Sequence, residues 1–223
     1  MQDVHWQPPV LNGFEEVPMR EWFTGLVLSG GQGSRLGGVD KGLVPWCGRP
    51  MAEWVVRQMR PLVGELIISC NRNVRRYAAL CDRALSDDQA GYPGPLAGIL
   101  AGLRSMRGTH LLVAPCDLPA VESELLEELQ QLALARPGQI AVVRQGERLQ
   151  PLLCVLPRTL LVDIDRAWVT GERSPCRLWQ RLGICELACR EDDPRLLNFN
   201  CPEVLLVARQ SPQREWKIYV DHR

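Results

Sequence analysis

The stretch Thr24-Gly-Leu-Val-Leu-Ser-Gly-Gly-Gln-Gly-Ser-Arg-Leu-Gly-Gly-Val-Asp-Lys-Gly42 governs how the rest of the chain is read. Gly25 to Ser29 is a short apolar run ending in glycines, the pattern of a buried parallel strand. Six glycines fall within the fourteen residues from Ser29 to Gly42. Without Cβ atoms, such a loop can turn successive backbone N–H groups toward phosphate oxygens. Arg35 and Lys41, inside the same stretch, supply the two cations a triphosphate demands. A flexible turn between strand and helix is the plain alternative, but it gives no reason for Arg and Lys among the glycines. The stretch is not a Walker A loop, because Lys41 is followed by Gly42. Nor is it the dinucleotide fingerprint, because Leu36 stands where a third glycine would be needed.

Past this loop the chain alternates. Met51, Trp54, Val55, Met59 and Leu62 recur at helical spacing after Pro50, and Glu65 to Cys70 reads as the next strand. A polar segment from Asn73 to Leu80 has helical character, and a brief strand lies near Ala84 and Leu85. Ser86 to Pro95 is turn-rich, and Leu96, Ile99, Leu100 and Leu103 then form one apolar stripe. Thr109 to Ala114 is a strand, and Glu122 to Ala135 is a helix with Leu125, Leu126, Leu129 and Leu132 on one face. Strands alternating with helices predict an α/β fold with a doubly wound, mostly parallel sheet. The C-terminal third is less regular. Gln139 to Val143 and Leu149 to Val155 read as strands joined around Gly146, as a hairpin or another antiparallel excursion. Helices over Arg158 to Val169 and Pro175 to Leu182, a strand near Ile184 to Leu187 and a helix from Pro202 to Arg209 complete the reading. Residues 1–23 are expected to be a flexible polar extension, residues 24–209 a single domain and residues 210–223 a tail.

Composition excludes more than it identifies. The 223 residues are 46% apolar and 23% charged, enough for a full core. Lys plus Arg and Asp plus Glu both number 26, which argues against a nucleic acid or an anionic membrane held by bulk charge. The longest apolar runs, such as Leu152 to Leu156, fall far short of the roughly 20 residues of a membrane span. The nine cysteines are scattered without CxxC spacing, and the three histidines lie far apart, so no zinc site is visible. Reduced thiols packed as small core residues are expected, and with no export signal in the first 23 residues, so is a cytoplasmic location.

A carboxylate completes the pattern. Val113-Ala-Pro-Cys-Asp-Leu-Pro119 sets Asp117 just past a strand's C-terminal end, where ligands bind in open α/β sheets. Nucleotide-bound Mg²⁺ takes one or two protein carboxylates and fills its shell with phosphates and water. Asp117 could instead form a turn or cap the helix that follows. Beside the glycine loop, the metal reading is the stronger.

Leu28 to Gly42 resembles the LAGGxxxRMGGxDKG signature of nucleotidyltransferases with the nucleotide-diphospho-sugar transferase fold, a Rossmann-like architecture. Tyr92-Pro-Gly-Pro-Leu-Ala-Gly-Ile99 and Pro115-Cys-Asp-Leu-Pro119 are similar to motifs of one branch, the molybdenum cofactor guanylyltransferases (MobA family). Gly171-Glu-Arg173 and Asn198-Phe-Asn-Cys-Pro202 resemble its weaker C-terminal motifs. The resemblance implies transfer of GMP from MgGTP to the terminal phosphate of the molybdopterin cofactor, with release of pyrophosphate. By position, Leu28, Ser29 and Gly30 would touch the nucleotide through the backbone, Lys41 its phosphates, and Asp87 the nucleotide. Asp117 would bind nucleotide and Mg²⁺. Where the family has a first asparagine after the second strand this chain has Ser69, so Ser69 or Asn71 takes that contact. Gly31, Gly38, Asn198 and Asn200 are assigned to the acceptor side, although both asparagines could equally bond to local backbone.

Attack of one phosphate on another needs charge neutralisation and alignment rather than a general base. Arg35, Lys41 and Asp117 are therefore the expected catalytic residues. Asp87 read alone would be a solvated loop residue, and Arg72, Arg75 and Arg76 a solvated helix face. Trp46, Trp54 and Cys116 are expected in the core. Rival readings are the cytidylyltransferase of the same cofactor, a sugar-1-phosphate nucleotidyltransferase, and a GTP-binding or cofactor-chaperone module without catalysis. Other proteins of cofactor biosynthesis, or chaperones of molybdoenzymes, are the expected protein partners.

Overall fold

A computed structural model describes residues 17–30, 39–86 and 94–199. A turn of 3-10 helix, Met19–Trp22, leads into strand β1 (Phe23–Leu28). Phe23 was expected to close the N-terminal extension. It is instead the first residue of β1, and its ring is buried because it packs under the sheet. A two-residue ribbon, β2 (Pro45–Trp46) and β3 (Arg49–Pro50), precedes helix α1 (Met51–Met59), and a 3-10 turn, Arg60–Leu62, follows it. Then come β4 (Glu65–Ser69), α2 (Val74–Ala78), β5 (Arg83–Leu85), α3 (Pro95–Ser105), β6 (His110–Pro115) and α4 (Ser123–Ala135). The last third holds β7 (Ile140–Gln145), β8 (Arg148–Pro157), α5 (Leu161–Val169), α6 (Pro175–Leu182) and β9 (Ile184–Cys189).

Among the described residues, seven strands form one sheet in the order β5-β4-β1-β6-β8-β7-β9. β8 alone runs against the others, pairing antiparallel with both β6 and β7. The mostly parallel, doubly wound sheet read from the sequence is therefore present. β1, an interior strand between β4 and β6, is buried along its whole length, as helices on both faces require. α1 and α4 cover one face through Val55, Met59, Leu125, Leu126 and Leu129. α3, α5 and α6 cover the other through Leu96, Ile99, Leu103, Ile164 and Leu178. Truncating any of these leucines to Ala would cost about 2–5 kcal/mol.

The irregular third has a local cause. β7 and β8 form the hairpin expected around Gly146, whose φ of 54° is a turn conformation that favours glycine. The register then jumps, because Val142 faces Cys154 while Val143 faces Gln150. Pro151 to Leu153 are the surplus residues, and Pro151, which has no N–H to pair, is suited to such a bulge. Its carbonyl accepts a hydrogen bond from Trp179 Nε1 at 2.9 Å. The helix expected from Pro202 to Arg209 lies outside the described residues.

Candidate functional site

The C-terminal tips of β1, β4 and β6 meet at one edge, and hydrogen bonds continue the ladder beyond the strands. Ser29 N–H donates to the Ser69 carbonyl at 2.8 Å, and Cys116 N–H donates to the Leu28 carbonyl at 3.0 Å. Leu28, Ser29, Ser69 and Asp117 are thus fixed to one another by backbone.

Lys41 begins a short 3-10 turn, Lys41–Leu43, and its Nζ donates to Asp117 Oδ2 at 2.6 Å. This pair joins residues 76 positions apart, and both side chains are only about one-fifth exposed (20% and 17%). The second oxygen, Asp117 Oδ1, is buried with no hydrogen-bond partner among the described residues. A buried carboxylate oxygen without a partner is costly unless something binds it. Asp117 also accepts through its carbonyl, from Phe199 N–H at 3.1 Å. That bond carries Asn198, which is exposed, to the same edge. Phe199 is anchored by Trp46, ring to ring at 5.3 Å, and Trp54 meets Trp46 edge-on at the same distance.

Beneath Asp117, burial pushes the Cys116 thiol up to about 12, with the neighbouring carboxylate adding to the effect. It is therefore an inert core thiol at neutral pH, as expected. Trp46 is likewise in the core and Trp54 is half-buried. Arg75 and Arg76 are exposed, and Arg72 is half-buried.

The two candidates after β4 are separated by burial. Ser69 is 2% exposed and lies under α3, where a Cβ on Gly98 would sit 2.6 Å from its Oγ. Gly98, in the segment Tyr92 to Ile99, thus lets α3 approach the tips of β1 and β4 closely. Asn71 is half-buried at the strand's exit. Gly31, Arg35, Gly38, Asp87 and Asn200 lie outside the described residues.

Sequence reasoning passed over Asp40, Asn73 and Tyr77. Asp40 Oδ1 accepts from the Tyr77 hydroxyl at 2.5 Å, and its Oδ2 accepts from Asn73 Nδ2 at 2.8 Å. The available signal was Asp40 itself, a carboxylate directly before the loop lysine. Tyr77 gave less warning, being one aromatic residue in a helix otherwise rich in arginine.

Among the described residues no three His, Cys, Asp or Glu side chains gather to hold a metal. One carboxylate with a spare buried oxygen does suit a hard cation that draws its other ligands from phosphates and water.

A family model described as the MobA-like NTP transferase domain matches residues 25–185. The chain belongs to the MobA-like NTP transferase family. It is 49% identical over 180 residues to a molybdenum cofactor guanylyltransferase of Pseudomonas fluorescens (strain Pf0-1), covering 81% of this chain and 90% of the relative. It is also 49% identical over 186 residues to the protein of that name from Ectopseudomonas mendocina, covering 83% and 91%. Molybdopterin-guanine dinucleotide biosynthesis protein A of Archaeoglobus fulgidus shares the fold, with a TM-score of 0.68 at 24% identity over 83% of this chain and 96% of that one. A nucleotidyl transferase of Methanothermobacter shares it at a TM-score of 0.67 and 23% identity, over 84% and 96%. This member of the family is a nucleotidyltransferase, and none of its described helices is long and apolar enough to cross a membrane.

Proposed function

We propose that this nucleotidyltransferase transfers GMP from MgGTP to the terminal phosphate of the molybdopterin cofactor and releases pyrophosphate. The observation that carries the reading is the Lys41–Asp117 pair at the strand tips, with Asp117 Oδ1 left unpartnered among the described residues. The name of the relatives that align over most of this chain supplies the nucleotide and the acceptor.

An oxygen of the acceptor phosphate forms a bond to the α-phosphorus of GTP. The bond from that phosphorus to the β-bridging oxygen breaks, and pyrophosphate leaves with the electron pair. The attacking oxygen is already anionic at neutral pH, so no proton has to be removed first. Charge is the obstacle. Without nucleotide, Lys41 and Asp117 neutralise each other. As the triphosphate arrives, Lys41 turns from Asp117 Oδ2 to phosphate oxygens and leaves the carboxylate for a cation. Asp117 would then hold Mg²⁺, which when bound would stabilise the charge on the bridging phosphates.

In this reading Leu28, Ser29 and Gly30 meet the nucleotide through the backbone, and Arg35 joins Lys41 at the phosphates. Asn71 is preferred to Ser69 for the nucleoside contact, since Ser69 is shut beneath Gly98. Asp87 contacts the nucleotide, and Gly31, Gly38, Asn198 and Asn200 face the acceptor. The enzyme works in the cytoplasm alongside other proteins of cofactor synthesis. The test is purified protein with molybdopterin cofactor, Mg²⁺ and each of the four NTPs, scored for pyrophosphate. Release with GTP alone is expected. Release with CTP but not GTP, or with none of the four, would overturn the proposal.

A further inference from the structure

Tyr77 is fully buried although it belongs to a helix of only five residues on the surface. Its hydroxyl accepts from Ser29 Oγ at 2.6 Å and donates to Asp40 Oδ1 at 2.5 Å. Ser29 opens the glycine-rich segment and Asp40 stands near its close, so one phenol bridges the two described ends. Asn73, directly before α2, holds the other Asp40 oxygen. The next residue, Lys41, reaches Asp117. Gly42 shows how tightly this junction is packed, since a Cβ there would lie 2.1 Å from Ser29 Oγ and 2.5 Å from the Tyr77 oxygen. Burial first, and then the Asp40 carboxylate, hold the phenol far above its usual titration range, so it stays a neutral donor at any working pH.

We infer that Tyr77 is a positioning residue whose hydroxyl ties Ser29 to Asp40 and thereby aims Lys41 into the site at Asp117. The inference deepens the proposed nucleotidyl transfer and rests on it. Tyr77 touches no reacting atom in this scheme and acts through the lysine. A purely structural tyrosine would act through its ring, whereas here the work falls to a single oxygen. Removing that oxygen leaves Ser29 Oγ and Asp40 Oδ1 without their shared partner, while the ring still fills its place in the core.

Three measurements on the full chain test this. Binding of inorganic tripolyphosphate with Mg²⁺ is followed by calorimetry, GTP turnover is resolved into kcat and KM, and urea unfolding reports the fold. Tyr77→Phe should weaken tripolyphosphate binding about 10- to 100-fold, the size of a lost hydrogen bond to a charged group. In a Lys41→Met background the same change should add less than about twofold, because the two residues act in series. Asp40→Ala cuts the tie from its half-exposed side and should reproduce the loss if Tyr77→Phe folds poorly. Wild-type affinity in a folded Tyr77→Phe protein would overturn the inference, as would an equal loss with and without Lys41. A wild-type protein that neither binds tripolyphosphate nor releases pyrophosphate would overturn the nucleotidyl-transfer reading, and this inference with it.

Discussion

Asp117 and Glu65 are carboxylates at opposite ends of one sheet, each paired with a cation and each mostly buried, yet the two pairs are built differently. Glu65 opens β4 and meets Arg83 through two bonds, Nε to Oε1 at 2.8 Å and Nη2 to Oε2 at 3.1 Å. Arg107 approaches the same carboxylate at 3.5 Å, and Arg83 also donates to the Ser105 carbonyl at 2.6 Å. Both Glu65 oxygens are engaged. Asp117 meets a single ammonium through one oxygen and keeps the other in reserve. A planar guanidinium fork locks geometry, whereas a lysine on a flexible stem can exchange one partner for another. The saturated pair holds the sheet together, and the unsaturated pair can accept a ligand.

This contrast predicts opposite responses to mutation. Asp117→Asn should lower pyrophosphate release at least about 10³-fold while the fold is kept, because the carboxylate that would hold the cation loses its charge and the part-exposed Lys41 can turn to solvent. Lys41→Met should lower it about 10²- to 10³-fold on the same reasoning. Steady-state assays alongside thermal melts decide both, and a near-normal rate in either variant would erase the distinction. Glu65→Gln should do the reverse, costing about 1–3 kcal/mol in urea unfolding while turnover at 25 °C holds. A loss of turnover in a folded Glu65→Gln protein would mean that the far end of the sheet serves the site. At the bottom of the scale, Arg190 and Asp192 form an exposed pair at 2.7 Å. Arg190→Ala should change stability by less than about 0.5 kcal/mol, which sharpens the contrast by showing what an ion pair without burial contributes.

The fold was legible where one residue pattern had one physical reading. The apolar run of β1, the stripe Leu125, Leu126 and Leu129 of α4 and the helix expected from Pro175 to Leu182 each map onto the element they predicted. The bulge at Pro151 to Leu153 was not legible, because it depends on Trp179 reaching the Pro151 carbonyl from a distant helix. In the candidate site, the Lys41–Asp117 pair joins two charged residues singled out from the sequence, but the network around them was not legible there. Tyr77 matters through an oxygen pinned between Ser29 and Asp40, 48 and 37 residues away, and nothing local to α2 announces that. The burial of Ser69 was equally hidden. Its place in the sequence matches a nucleotide contact, but Gly98 brings a helix down over it.

The bond from Phe199 N–H to the Asp117 carbonyl has a practical consequence for anyone wishing to attach a fluorescent reporter. A bulky fusion spliced directly after Phe199 would transmit its drag into the backbone that carries Asp117, and dimmed turnover would be mistaken for a poor preparation. The loop at Pro137 and Gly138 offers a safer splice point. It is exposed, Gly138 already holds a positive φ of 82°, and β7 starts there at the opposite end of the strands from Asp117.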